Sequence, residues 1–218
     1  GDAGARVRLT FFGASHTEGD HWTGRIRRVL QARWGDLGHG FVLPAAPFAG
    51  YRASDVNLCR SEGWAGDWAE RASGRADGLL GPAGVSVSSA DPGDFGWLET
   101  TRVNARGRSV SRFEVFALAR PEGGTLRIRV DEAPPREVPT AAPDPRLQRI
   151  RIEVPDGPPR LALAPAGDGE VRIFGVSMER EGGGALVDAL GVRGATARSW
   201  LDWEPRMAAQ GLAALDPD

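Results

Sequence analysis

Ser15 stands in the stretch FFGASHTEGD (Phe11–Asp20), straight after the strand-like run RVRLTFF. A serine hydroxyl becomes a useful nucleophile only when a base takes its proton and N–H donors receive the oxyanion. A position between a strand end and a helix start meets part of that need, because free N–H groups and a favourable dipole gather at a helix amino terminus. The plainer reading, a serine that hydrogen-bonds its own turn, stays open at this point. The G-x-S-x-G elbow of α/β hydrolases is absent. Three histidines could serve as base. His16 adjoins Ser15, and His21 opens the next helix. His39 ends Asp36-Leu37-Gly38-His39, which reads literally as Asp-x-x-His. The helix between Ser15 and His39 spans roughly 20 Å, so His39 reaches the serine only if its loop folds back. Structural roles are the default for all three. They do not form a metal set, and "EGDH" lacks the second histidine of a zinc helix.

The elements that must hold Ser15 change in texture along the chain. Residues 1–80 read as α/β. Asp20 is a candidate N-cap for HWTGRIRRVLQARW, in which Trp22, Ile26, Val29, Leu30 and Arg33 mark the core-facing stripe and Arg25, Arg28 and Gln31 face away. Gly35 stops this helix. A long stretch rich in Gly, Pro and Trp follows and reads as ordered loop. Residues 81–179 have period two: Leu126, Ile128 and Val130 alternate with arginines, as do Ile150, Ile152 and Val154 with Arg151 and Glu153. Turn clusters such as PEGG and PDGPP separate these runs, which predicts antiparallel sheets and a β-sandwich. Residues 180–218 return to α/β texture and end in a helix with Pro205 at its first position.

Composition narrows the classes. A net charge of −2 over 218 residues gives no field that draws nucleic acid or a membrane. All 27 basic residues are arginine, which excludes lysine chemistry such as a Schiff base or a P-loop. Cys59 is the single cysteine, so no intrachain disulfide forms. No apolar run reaches the length of a membrane span, and no signal peptide is visible. Trp22, Trp34, Trp200 and Trp203 fall on helical segments and read as core. Trp64, Trp68 and Trp97 lie in loop-like stretches, where packing and stacking on sugar rings both remain open.

The block FFGASHTEGDHWTGRIRRVLQARWGDLGHGF resembles the first block of the SGNH (GDSL-type) hydrolases, in the branch that reads Gly-Asp-Ser-His-Thr. RIFGVSMEREGGGALVDALGVRGATARSW resembles the same branch's second block, where a Gly-x-x-Gly-Ala turn gives a glycine N–H to the oxyanion hole. A sandwich between the two blocks is similar to peptidoglycan O-acetylesterases that carry a carbohydrate-binding-like insert. The resemblance implies that Ser15 is the nucleophile and one oxyanion donor, and that Gly194 is the second donor. It implies an α/β, flavodoxin-like three-layer fold with an inserted jelly-roll-like sandwich. The domains would be 1–80, the insert 81–179, and the return at 180–218. It further implies an O-acetylated polysaccharide or peptidoglycan as substrate, no cofactor, no metal, and an exported protein.

Two departures accompany the likeness. Ala14 stands where the motif has Asp. The family's Asn donor and its terminal Asp-x-x-His base have no counterpart after Leu215. The chain therefore resembles the amino-terminal part only, with the missing groups expected on a continuation or a second polypeptide. Such a part should expose an unpaired sheet edge or an apolar face. The competing expectations are a non-catalytic polysaccharide-binding module on a remnant scaffold and a structural surface protein.

Overall fold

The structure is a computed structural model that describes residues 4–48, 50–69, 75, 77–101 and 106–218. Strand β1 (Arg6–Gly13) leads into a single helical turn, α1 (Ser15–Glu18), and then α2 (His21–Trp34). β1 pairs in parallel with β13 (Gly184–Gly191), from Arg6 opposite Gly184 to Gly13 opposite Gly191. Between them the chain builds two antiparallel sheets. One contains β10 (Arg146–Gly157), β7 (Val110–Ala119), β12 (Val171–Glu179), β5 (Val85–Ser89) and β4 (Ala65–Trp68) in that order, with β2 (Gly40–Val42) also on β12. The other runs β3 (Val56–Arg60), β6 (Gly96–Thr100), β11 (Arg160–Pro165), β8 (Thr125–Val130) and β9 (Arg136–Pro139). Their facing side chains, among them Leu98, Phe113, Val115, Leu126, Leu161 and Ile173, form the main core. After β13 come a 3₁₀ turn (Ala197–Asp202) and α3 (Pro205–Leu215), with Glu204 capping α3 through Met207 N–H.

This architecture corrects the expected fold class. The protein is mostly β, and among the described residues its parallel layer has only two strands, not the sheet of a flavodoxin-like three-layer α/β fold. Part of the reason lies in residues 40–68, read above as loop. They supply β2, β3 and β4, all of them strands of the two antiparallel sheets. These strands have three to five residues each and stand between glycines and prolines, too short for alternation to show.

The facing of α2 is a second correction. Its buried residues are Thr23, Gly24, Arg27 and Gln31, while Trp22, Val29 and Trp34 are exposed. The polar groups turn inward because each finds a partner there. The Arg27 guanidinium donates to both Asp20 carboxylate oxygens at 3.0 Å and to the Val187 carbonyl at 3.1 Å. The Gln31 amide donates to the Gly38 carbonyl at 2.7 Å. Trp200 is exposed as well, whereas Trp64 and Trp203 are buried.

Candidate functional site

β1 and β13 end side by side, since Gly13 and Gly191 are register partners. Ser15 follows one strand by two residues and Gly194 follows the other by three, so both exposed residues leave the same end of the parallel pair. Several contacts brace the two turns together. The Val192 N–H donates to the Gly13 carbonyl at 2.9 Å, and Arg193 Nε lies 3.4 Å from the buried Glu18 carboxylate. The Thr17 and Glu18 N–H groups both donate to the Ala14 carbonyl at 3.0 Å, which curls α1. Ser15 opens that turn, and its N–H has no partner among the described residues; nor has the Gly194 N–H. Gly194 takes φ +81°, a left-handed conformation that glycine adopts freely.

Gly191 is what lets α1 sit against β13. A Cβ there would lie 1.9 Å from the Glu18 backbone nitrogen. Backbone cannot rotate aside as a side chain can, so Gly191→Ala should cost about 1–3 kcal/mol or more and push Ser15 off its place. Urea unfolding of the variant reads the cost. A variant as stable as the parent would mean that α1 is not fixed by this contact.

Beside the strand ends, Phe12, Gly13, Val192, Ala195, Trp200 and Trp203 help line an apolar cavity of about 30 Å³. It has room for a group the size of a water or a methyl.

Among the described residues, none of the three histidines engages Ser15. His16 and His21 are exposed. His39 is 1% exposed, and its Nε2 lies 2.6 Å from the Ser54 carbonyl and 3.8 Å from the Asp20 carboxylate. No histidine is hydrogen-bonded to Ser15 among the described residues. Asp20 precedes α2 as expected, but its carboxylate caps nothing. It holds Arg27, accepts from Thr23 Oγ1 at 2.5 Å, and accepts from the Ser54 N–H at 2.9 Å. Asp36 of the literal Asp-x-x-His accepts from the Gly38 and Gly107 N–H groups and does not orient His39.

Burial, and after it the neighbouring Arg27 charge, push the His39 imidazole down to about 4 from its ordinary 6.5. The unfolded chain therefore binds a proton between those values that the folded chain refuses. Stability should be full above pH 6.5 and fall as pH drops towards 4, with a slope of up to about 1.4 kcal/mol per pH unit. Burial also opposes the Asp20 charge, but Arg27, His39 and Thr23 hold its carboxyl below the usual carboxylate range. Unfolded Asp20 starts to bind its proton near the bottom of that window, so it adds to the loss only there and below. Denaturant melts at several pH values test this: His39→Gln should remove the slope in the upper part of the window, where no carboxylate titrates, and leave the one that Glu179 and Asp20 add as pH approaches their ordinary range. A slope that survives the substitution in that upper part would place it elsewhere.

A second buried network escaped the sequence reading. Asp188, fully buried in the apolar run GALVDALG, accepts from Arg8 Nε at 2.7 Å, Thr10 Oγ1 at 2.9 Å and the Phe41 N–H at 2.8 Å. Arg8 also donates to Glu179 at 3.1 Å, and Arg112 pairs with the same carboxylate. Burial works against the charge on Glu179, yet Arg8, Ser177 and Arg112 hold it below the ordinary range. This network ties the parallel pair to the sandwich and fixes β1 in place. The one available signal was an aspartate amid apolar residues. Among the described residues, no group of three or more His, Cys, Asp or Glu is arranged to hold a metal ion. No helix among them is long and apolar enough to cross a membrane.

No protein-family model and no curated protein matches the sequence. Among solved structures, the chain is similar to one described as "Peptidoglycan O-acetylesterase in action, 5 min", with TM-score 0.73 and 23% identity over 98% of this chain and 54% of that one. It overlaps more weakly with the Agl-KA catalytic domain, with TM-score 0.42 and 12% identity over 66% of this chain and 28% of that one. It also overlaps a family two carbohydrate esterase from Cellvibrio japonicus, with TM-score 0.34 and 11% identity over 58% of this chain and 34% of that one. The chain spans about half the length of the first structure, and what it shares with that structure is the fold.

Proposed function

We propose that this chain is the nucleophile-bearing part of an exported serine esterase of the SGNH type that removes acetyl groups from an O-acetylated glycan. One observation carries the reading: Ser15 and Gly194, whose N–H groups have no partner among the described residues, leave the same end of a parallel strand pair. The fold likeness to a peptidoglycan O-acetylesterase supports it. In the reaction, Ser15 Oγ would attack the acetyl carbonyl carbon while a base takes its proton. The carbonyl oxygen would gain the negative charge and lie against the Ser15 and Gly194 N–H groups. Collapse would break the bond to the sugar oxygen, which leaves with the proton from the base. Water would then release acetate from the acyl-serine by the same steps. The small cavity beside Gly13 and Ala195 suits a short acyl group.

The base and the Asn donor would come from a second polypeptide segment, because His39 serves the Asp20 cluster instead. The sandwich would be the glycan-binding portion, set between segments near the two chain ends.

A polysaccharide-binding module is the second reading; Trp97 lies on the outer face of its sheet, although Arg160 covers one face of its ring. Trp97 is half-buried in β6, and the Arg160 guanidinium sits 4.3 Å from its ring centroid. Fluorophosphonate labelling beside glycan pull-down separates the two readings. Labelling that Ser15→Ala abolishes supports the esterase. Glycan retention with no Ser15 labelling supports the module.

A further inference from the structure

Arg193 immediately precedes Gly194 in the turn after β13, and two contacts fix its side chain. Its Nε lies 3.4 Å from the Glu18 carboxylate of α1, and its guanidinium carbon stands 5.4 Å from the Phe48 ring centroid. Glu18 is 4% exposed, and its carboxylate has no other partner among the described residues. Ser15 and Glu18 stand at i and i+3 on α1, where side chains are neighbours. The guanidinium held at Glu18 therefore stands beside Ser15 as well as beside Gly194.

The far end of this arginine faces outward. Arg193 Nη1 and Nη2 have no hydrogen-bond or ion-pair partner among the described residues, and the side chain is 53% exposed. An arginine kept for stability turns its fork inward, as Arg27 does when both its terminal nitrogens donate to Asp20. Arg193 does the reverse: only Nε meets its acid, at a long distance, and the terminal nitrogens stay open. The balancing acid is buried, so the charge that meets solvent here is the guanidinium. A planar fork with several N–H donors left over matches a carboxylate or a phosphate.

We propose that Arg193 is a specificity residue that binds an oxyanion of the substrate, a sugar carboxylate or phosphate, next to the acetyl ester presented to Ser15. The chain then prefers acetyl esters of anionic sugars to those of neutral ones. Two parallel N–H···O bonds from the terminal nitrogens would hold either anion. Glu18 and Phe48 set the fork in place before the ligand arrives, which lowers the cost of ordering it. In placing the anion beside an ester, the inference rests on the esterase reading, but the anion site itself does not need the chemistry at Ser15.

The test titrates the full, isotope-labelled chain with acetylated methyl glycosides that carry a carboxylate, a phosphate or neither, and follows the Arg193 Nε–H resonance by NMR. The expected result is binding of an anionic probe about 10-fold tighter than the neutral one, with a shift of that resonance. The tighter of the two anions names the source. Arg193→Gln should abolish the preference. Because that change strands the buried Glu18, the double variant Glu18→Gln/Arg193→Gln is run beside it and should lose the preference while keeping the fold by circular dichroism. Equal affinity for charged and neutral probes overturns the proposal, as does the absence of measurable binding. A preference that the folded double variant retains overturns it too. Ser15→Ala should keep the preference, so failure of the esterase chemistry and failure of the anion site read separately.

Discussion

Asp20→Asn is expected to destabilise the chain by about 3–5 kcal/mol, the scale for removing one partner of a buried ion pair. Arg27 is 1% exposed, and both its terminal nitrogens donate to the Asp20 carboxylate. An asparagine keeps the shape but turns an amide donor towards a guanidinium that can only donate. The buried charge then has no counter-ion beside it. The same carboxylate accepts the Ser54 N–H, so the loop that carries Ser54 loosens with it. Urea unfolding should show a large fall in midpoint at an unchanged slope. Adding Arg27→Met should recover part of the loss, because it removes the stranded charge. A single-variant cost below about 0.5 kcal/mol, the range of ordinary surface substitutions, would show that the cluster does not hold α2.

Turnover of an acetyl ester by the 218 residues alone should fall about 10⁶-fold short of an enzyme with its base in place, the loss seen when a serine triad lacks its histidine. The reason is geometric. His39 is held between the Ser54 carbonyl and Asp20, and burial and Arg27 keep it neutral. His16 and His21 are exposed and make no hydrogen bond to Ser15 among the described residues. His16→Ala, His21→Ala and His39→Gln should each leave the residual rate unchanged. A histidine variant that abolishes Ser15-dependent turnover would identify a base in this chain.

The sandwich strands between residues 125 and 165 are legible because one face of each is wet and the alternation is clean, as in Leu126, Ile128 and Val130. The span of α2 is equally legible, from His21 to Trp34. Its facing is not. The rule that charged residues turn outward fails where Arg27 meets Asp20 seven residues away, a pairing that periodicity does not encode. The breadth expected of the parallel layer failed for a related reason. One apolar strand followed by one helix reads the same whether two or five strands stand beside it. The position of Ser15 just past a strand is visible in FFGAS, because an apolar run breaks there into small and polar residues. What fixes that position is invisible: Gly191 under Glu18, and Arg8 bound to Asp188 and Glu179 across more than 170 positions of chain.

Whether Ser15 is a nucleophile is read by acetyl transfer to it when a base is supplied from solution. The chain is incubated with an activated acetyl ester and increasing imidazole, and acetylation is located by peptide mass analysis, with Ser15→Ala run in parallel. Acetyl-Ser15 that grows with imidazole, saturates, and is absent from the variant is the expected result. No acetylation of Ser15 at any imidazole concentration, with equal background in both proteins, would contradict it.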